Sequence, residues 1–221
     1  MPKSEKETPK DTKYKGFLKM EKRTTGHILR LDLASELTHG MCVSNLAFQV
    51  ACEMGLEPEI CHELAVAGVV HDIGKLEISK YLYSRQSDPL TIEELKYVRT
   101  HSTMGYAILN ERHYSEFILQ SILHHHENYD GSGYPSNLAG EEIPLGARIL
   151  RVCDTFAALI SDRSYRKAFS TEEAVALMID EIKDFDVGVF LAFQRVVHGP
   201  HIEEIIEINK QVLDLDEEDI R

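Results

Sequence analysis

The 221-residue sequence predicts an all-α fold, a single helical bundle, and three observations carry that prediction. Apolar residues recur mostly at spacings of three and four, the period of one helix face. The long alternating Val/Ile/Thr runs that mark half-buried strands are absent. Two capping boxes, Thr91 with Glu94 and Ser170 with Glu173, signal helix starts. With 43% hydrophobic residues at this length, one substantial core and one domain are expected.

Residues 1–22 mix Lys, Glu, Pro and Thr with few apolar positions and read as a flexible polar arm. Helical periodicity begins at Leu29, with a helix expected from Gly40 to Met54 and a turn at Gly55-Leu56-Glu57. Pro58 suits the first turn of the next helix, Glu59 to Val70, which runs into His71-Asp72-Ile73-Gly74-Lys75. Thr91 opens a helix toward His101. Another helix ends near His126, because Tyr129-Asp130-Gly131-Ser132-Gly133-Tyr134-Pro135 is a turn-forming stretch that no helix continues. Ser170 precedes a helix over Ala174 to Ile182, and the last helical segment runs from Ile202 to Leu213. The domain is thus expected over residues 23–213, with 214–221 as an acidic tail.

No apolar stretch approaches the roughly 20 residues needed to cross a bilayer, and the first residues are not signal-like, so a cytoplasmic protein with no membrane partner is expected. Cys42, Cys52, Cys61 and Cys153 sit singly in apolar helical windows and read as buried, reduced thiols. A formal charge of -13 disfavours nucleic acid polymers. A small anionic phosphate ester remains compatible, because bound divalent metals reverse the local field.

The chain has eleven histidines, and the informative ones stand near carboxylates on expected helices: His39, His71 with Asp72, His101, His125 with His126, and Asp154. Five imidazoles and two carboxylates are too many for one mononuclear site. They suit two first-row divalent metals sharing a carboxylate, with positions left open for water and substrate. Asp72 is the natural bridge, since its histidine neighbour serves one metal while it reaches across to the other. A shared metal-activated hydroxide and in-line displacement at a phosphate ester follow from that arrangement. A lone histidine is more often a satisfied core or surface residue, and His27, His62, His113, His198 and His201 read that way. His124 is expected only to orient its neighbours.

HDIGK at 71–75 and HHENYDGSGYP at 125–135 resemble the HD-GYP branch of the HD metal-dependent phosphohydrolase superfamily, and the likeness spans most of the chain. The resemblance implies an all-helical HD-type domain holding two, sometimes three, iron or manganese ions, a metal-dependent phosphodiesterase that hydrolyses a cyclic dinucleotide, cyclic di-GMP first among them. By position it assigns His39, His71, Asp72 and Asp154 to one metal and Asp72, His101, His125 and His126 to the other. It gives Lys75 a catalytic and phosphate-binding role. Gly133, Tyr134 and Pro135 match the signature loop, where the glycine permits a tight turn and the tyrosine presents a ring or hydroxyl to the ligand. Arg163 and Arg166 match positions that reach guanine or phosphate, with surface solvation as the alternative. Ser35 stands where three-metal members carry a glutamate, which favours two metals here. Ala157, Glu77, Ser79 and Lys80 also depart from the pattern and leave substrate and rate open. Two other readings stay beside the first: a phosphohydrolase acting on another nucleotide or phosphate ester, and a non-catalytic module that binds a cyclic dinucleotide or a partner.

Overall fold

Apolar stripes and local caps divide the chain into helices in a computed structural model that describes residues 33–82, 96–162, 166–200 and 202–211. The regular elements there are α1 (Leu33–Glu53), α2 (Pro58–Val70), α3 (Lys75–Leu82), α4 (His101–Asn110), α5 (Glu116–Leu123), α6 (Leu145–Leu159), α7 (Thr171–Asp180), α8 (Val187–Val197) and α9 (Ile202–Gln211). Short 3-10 turns at Gly140–Glu142 and Ile182–Asp184 complete them. None of these helices is long and apolar enough to cross a membrane. The polar arm, the Thr91–Glu94 box, Arg163 and the acidic tail lie outside the described residues.

α1 places Cys42, Val43, Leu46, Ala47, Val50 and Ala51 on one buried stripe with the 3.6-residue period, and it packs against α2, α6, α8 and α9. Helix was expected only from Gly40, yet it already includes Leu33. Gly40 is a packing residue: a Cβ there would meet the Val69 carbonyl oxygen at 2.7 Å, so the glycine lets α1 and α2 approach. The helix closes as expected at Gly55, where Gly55 N–H donates to Cys52 and Leu56 N–H to Ala51. Pro58 then occupies the first turn of α2.

Three other boundaries carry side-chain caps. Ser115 accepts from Ile118 N–H at the start of α5, both halves of the Ser170–Glu173 box are formed at α7, and Asp186 accepts from Gly188 and Val189 at α8. Asp186 also takes Arg148 at 2.6 Å, which ties α6 to α8. The helix expected to reach His126 stops at Leu123, so the paired histidines stand in the turn beyond it. α7 ends at Asp180, just before the second 3-10 turn, and the described part of α9 runs to Gln211.

The core lies between α1, α6 and α8. Phe156 and Phe193 meet edge to face with ring centroids 5.0 Å apart, and burying each such ring contributes about 1.5–3 kcal/mol. The four cysteines form no disulfide among the described residues, and Cys42, Cys61 and Cys153 are buried. Cys52 corrects the expectation: it falls off the apolar stripe of α1 and is exposed.

Candidate metal centre

Five helices converge on one cluster of imidazoles and carboxylates. His39 comes from α1, His71 and Asp72 from the turn between α2 and α3, and His101 opens α4; the turn after α5 supplies His125 and His126, and α6 supplies Asp154. The donor atoms of Asp72, His101, His125 and His126 lie within 4.8 Å of one another, as do those of His39, His71 and Asp72. Asp154 borders the latter group, its Oδ1 3.0 Å from His39 Nε2 and 3.6 Å from His71 Nε2. The structure therefore brings together all seven residues singled out in the sequence, and Asp72 belongs to both groups.

Backbone carbonyls orient the imidazoles. His71 Nδ1 donates to Gly68 O at 2.8 Å, His101 Nδ1 to Val98 O at 2.8 Å, and His125 Nδ1 to Ile122 O at 2.6 Å. A carbonyl only accepts, so in each neutral ring the proton sits on Nδ1 and Nε2 is a bare lone pair. These lone pairs crowd one another. His101 Nε2 lies 3.3 Å from His125 Nε2, 3.1 Å from His126 Nε2 and 3.3 Å from Asp72 Oδ1. Among the described residues, Asp72 Oδ1 is buried without a hydrogen-bond partner. Facing lone pairs at such distances repel unless a cation stands between them. The donor set fits divalent metal ions on that ground, with the carbonyls as the outer layer that metal-bound histidines require.

The electrostatics differ between the two groups. Burial holds His101 below its usual range, pushes His125 down to about 3 and takes His126 well below the usual value, so all three are neutral imidazoles at physiological pH. Burial also opposes charge on His71, but the Asp72 carboxylate and the hydrogen bonds His71 donates to Asp154 and Asp72 outweigh it and raise its pKa well above normal. Asp72 and Asp154 stay ionised despite burial because His71, Lys75 and His39 stabilise their charge. One group offers neutral nitrogens and the other concentrates negative charge.

Lys75 lies beside the shared carboxylate, its Nζ 2.5 Å from Asp72 Oδ2 and 3.4 Å from Glu36 Oε2. Burial opposes its charge, yet Asp72 and Glu36 raise its pKa above the usual range. Tyr134 stacks on His126 with centroids 4.8 Å apart at 25°, and the Arg99 guanidinium carbon lies 5.2 Å from the centre of the tyrosine ring. Pro135 follows through a cis peptide bond. Gly133 was expected for a tight turn. The constraint is instead close approach, since a Cβ would meet Asn128 N at 2.2 Å and Glu127 Cα at 2.4 Å.

Several residues near the site had no assigned role in the sequence. Glu127 is buried and its Oε1 accepts from Ser136 N–H at 2.6 Å, strapping the Gly133–Pro135 loop to the histidine turn. Arg151, one helical turn before Asp154, donates to Asn128 Oδ1 at 3.0 Å and fastens the same turn to α6. The spacing of Arg151 from Asp154 and of Arg99 from His101 was the available signal. Arg166 gives Nη donors to the carbonyls of Ala158, Leu159 and Lys167 and lies over Phe169.

A family model described as HD domain matches residues 12–189. A cyclic di-GMP phosphodiesterase of Pseudomonas aeruginosa is 36% identical over 77% of this chain, which spans 42% of that protein. A 3'3'-cGAMP-specific phosphodiesterase of Vibrio cholerae is 34% identical over 69% of this chain, which spans 36% of its length. The fold resembles that of an HDGYP protein from Bdellovibrio bacteriovorus, with a TM-score of 0.60 at 20% identity over 78% of this chain and 55% of the other. By a family match that takes in all seven clustered residues, this chain belongs to the HD domain family.

Proposed function

We propose that the chain is a metal-dependent phosphodiesterase acting on a cyclic dinucleotide, with cyclic di-GMP as the first substrate. The observation that carries this reading is the pair of donor groups joined through Asp72. His39, His71, Asp72 and Asp154 would hold one divalent ion, and Asp72, His101, His125 and His126 the other, iron or manganese in both cases. Two such ions, when bound, activate water and offset the charge of a phosphate under attack.

The chain's own side chains prepare that chemistry. Carbonyls behind His71, His101 and His125 fix the direction of each Nε2, so little reorganisation is left for ligand binding. Lys75 keeps a full positive charge at the edge of Asp72, placed to bind a phosphate oxygen and to stabilise charge on the leaving oxygen. Tyr134 stacks on His126 and Gly133 packs against the His126 turn, and this reading gives that loop, with Pro135, to the ligand. Recognition of the base falls to Arg163 in this reading, since the Arg166 donors are engaged by carbonyls. The net charge of -13 suits a small substrate over a nucleic acid polymer, and a cytoplasmic setting belongs to the same reading. The names of the relatives support the substrate class.

The test is anaerobic turnover of cyclic di-GMP and 3'3'-cGAMP by metal-analysed protein supplied with ferrous iron or manganese, beside an Asp72→Ala control. Turnover that the substitution abolishes supports the reading. Faster turnover of 3'3'-cGAMP would change the preferred substrate, and bound metal without turnover of either would refute the substrate class.

A further inference from the structure

A cyclic dinucleotide carries two phosphodiesters, and a metal centre that hydrolyses one leaves the other needing a positive partner. Three described cations border the cluster. Lys75 is held between Asp72 and Glu36. Arg151 donates to Asn128 Oδ1 at 3.0 Å and to Thr155 Oγ1 at 3.1 Å. Arg99 is different: its side chain is exposed, and its polar N–H groups find no acceptor among the described residues.

Among the described residues, its contact at the site is with the Tyr134 ring, 5.2 Å from guanidinium carbon to ring centre. A contact of the cation with a ring uses none of the guanidinium's hydrogen-bond donors, so with respect to the described residues those donors can make a bidentate grip on phosphate. The ring beneath it is stacked on His126, and the chain two residues on enters the cluster as His101. Arg99 is thus held one aromatic layer from the metal ligands, by its backbone on one side and its side chain on the other. Tyr134 is correspondingly engaged by His126 and Arg99, which makes it a poor platform for a base.

Resting on the phosphodiesterase reading, we propose that Arg99 is a specificity-determining residue whose guanidinium binds the phosphodiester that is not hydrolysed. Tyr134 is the spacer that sets the distance from this grip to the metal ligands. A substrate with one phosphate gains nothing from Arg99, so the residue selects for dinucleotides.

Arg99→Ala and Arg99→Lys proteins, matched to the parent in metal content and melting temperature, are assayed with cyclic di-GMP and with bis(p-nitrophenyl) phosphate, a diester with one phosphate. Losing a charged bidentate contact raises KM for cyclic di-GMP by roughly 10- to 100-fold with a much smaller change in kcat. That rise exceeds any change on the one-phosphate diester by an order of magnitude, and lysine restores part of it. Equal losses on both substrates would mean that Arg99 only supports Tyr134, and an unchanged KM would mean that it binds nothing; either overturns the proposal. If the parent protein cleaves the simple diester but not cyclic di-GMP, the phosphodiesterase reading itself falls and takes the proposal with it, an outcome distinct from failure of the arginine alone.

Discussion

The carbonyls of Gly68, Val98 and Ile122 each stand three residues before a histidine of the centre and take its Nδ1 proton. Turn geometry therefore sets the chemistry of the ring, because the residue at i−3 presents its carbonyl whatever its side chain. The histidines were legible in the sequence through their neighbours, as His71-Asp72 and His125-His126-Glu127. Their carbonyl partners were not, since a backbone acceptor leaves no mark on residue identity. Gly133 shows the same limit: the letter was plain, but contact with Asn128 and Glu127, which accounts for it, comes from the folded loop. Gly133→Ala should cost about 1–3 kcal/mol through overpacking, read by chemical denaturation, and should displace Tyr134 from His126.

Helix ends decide where the functional side chains stand. α5 stops at Leu123, and the turn beyond it turns His125 and His126 toward His101 while Glu127 straps the following loop. The hydrophobic pattern located this helix but not its end, because periodicity does not distinguish a last helical turn from the turn that follows. The C-terminus of α6 is closed by Arg166, whose guanidinium satisfies the Ala158 and Leu159 carbonyls that the helix leaves open. Arg166→Ala should destabilise the fold by about 1–3 kcal/mol, visible as a lower denaturation midpoint, with little movement of KM for cyclic di-GMP. A large KM effect at unchanged stability would restore Arg166 to ligand recognition.

Across the whole molecule, the apolar period gave away an all-helical bundle with one core, and the motifs gave away the seven clustered residues. Which helices meet was not readable, because no local pattern links His39 to Asp154, 115 residues apart and 3.0 Å away in the fold. The shared position of Asp72 joins groups drawn from α1, α2 and α6 to groups drawn from α4 and the turn after α5. On the two-ion reading proposed above, the ions would act as cross-links between distant stretches of chain, and the folded state would gain by mass action, about 2.7 kcal/mol when free ion exceeds its dissociation constant 100-fold. The melting temperature should climb with manganese concentration and fall on chelation, and Asp72→Asn should flatten that dependence; a melting curve indifferent to metal would contradict the cross-link. On that reading resistance to unfolding would track the free-ion level around the protein, so metal starvation would deplete the folded chain as well as silence the proposed activity.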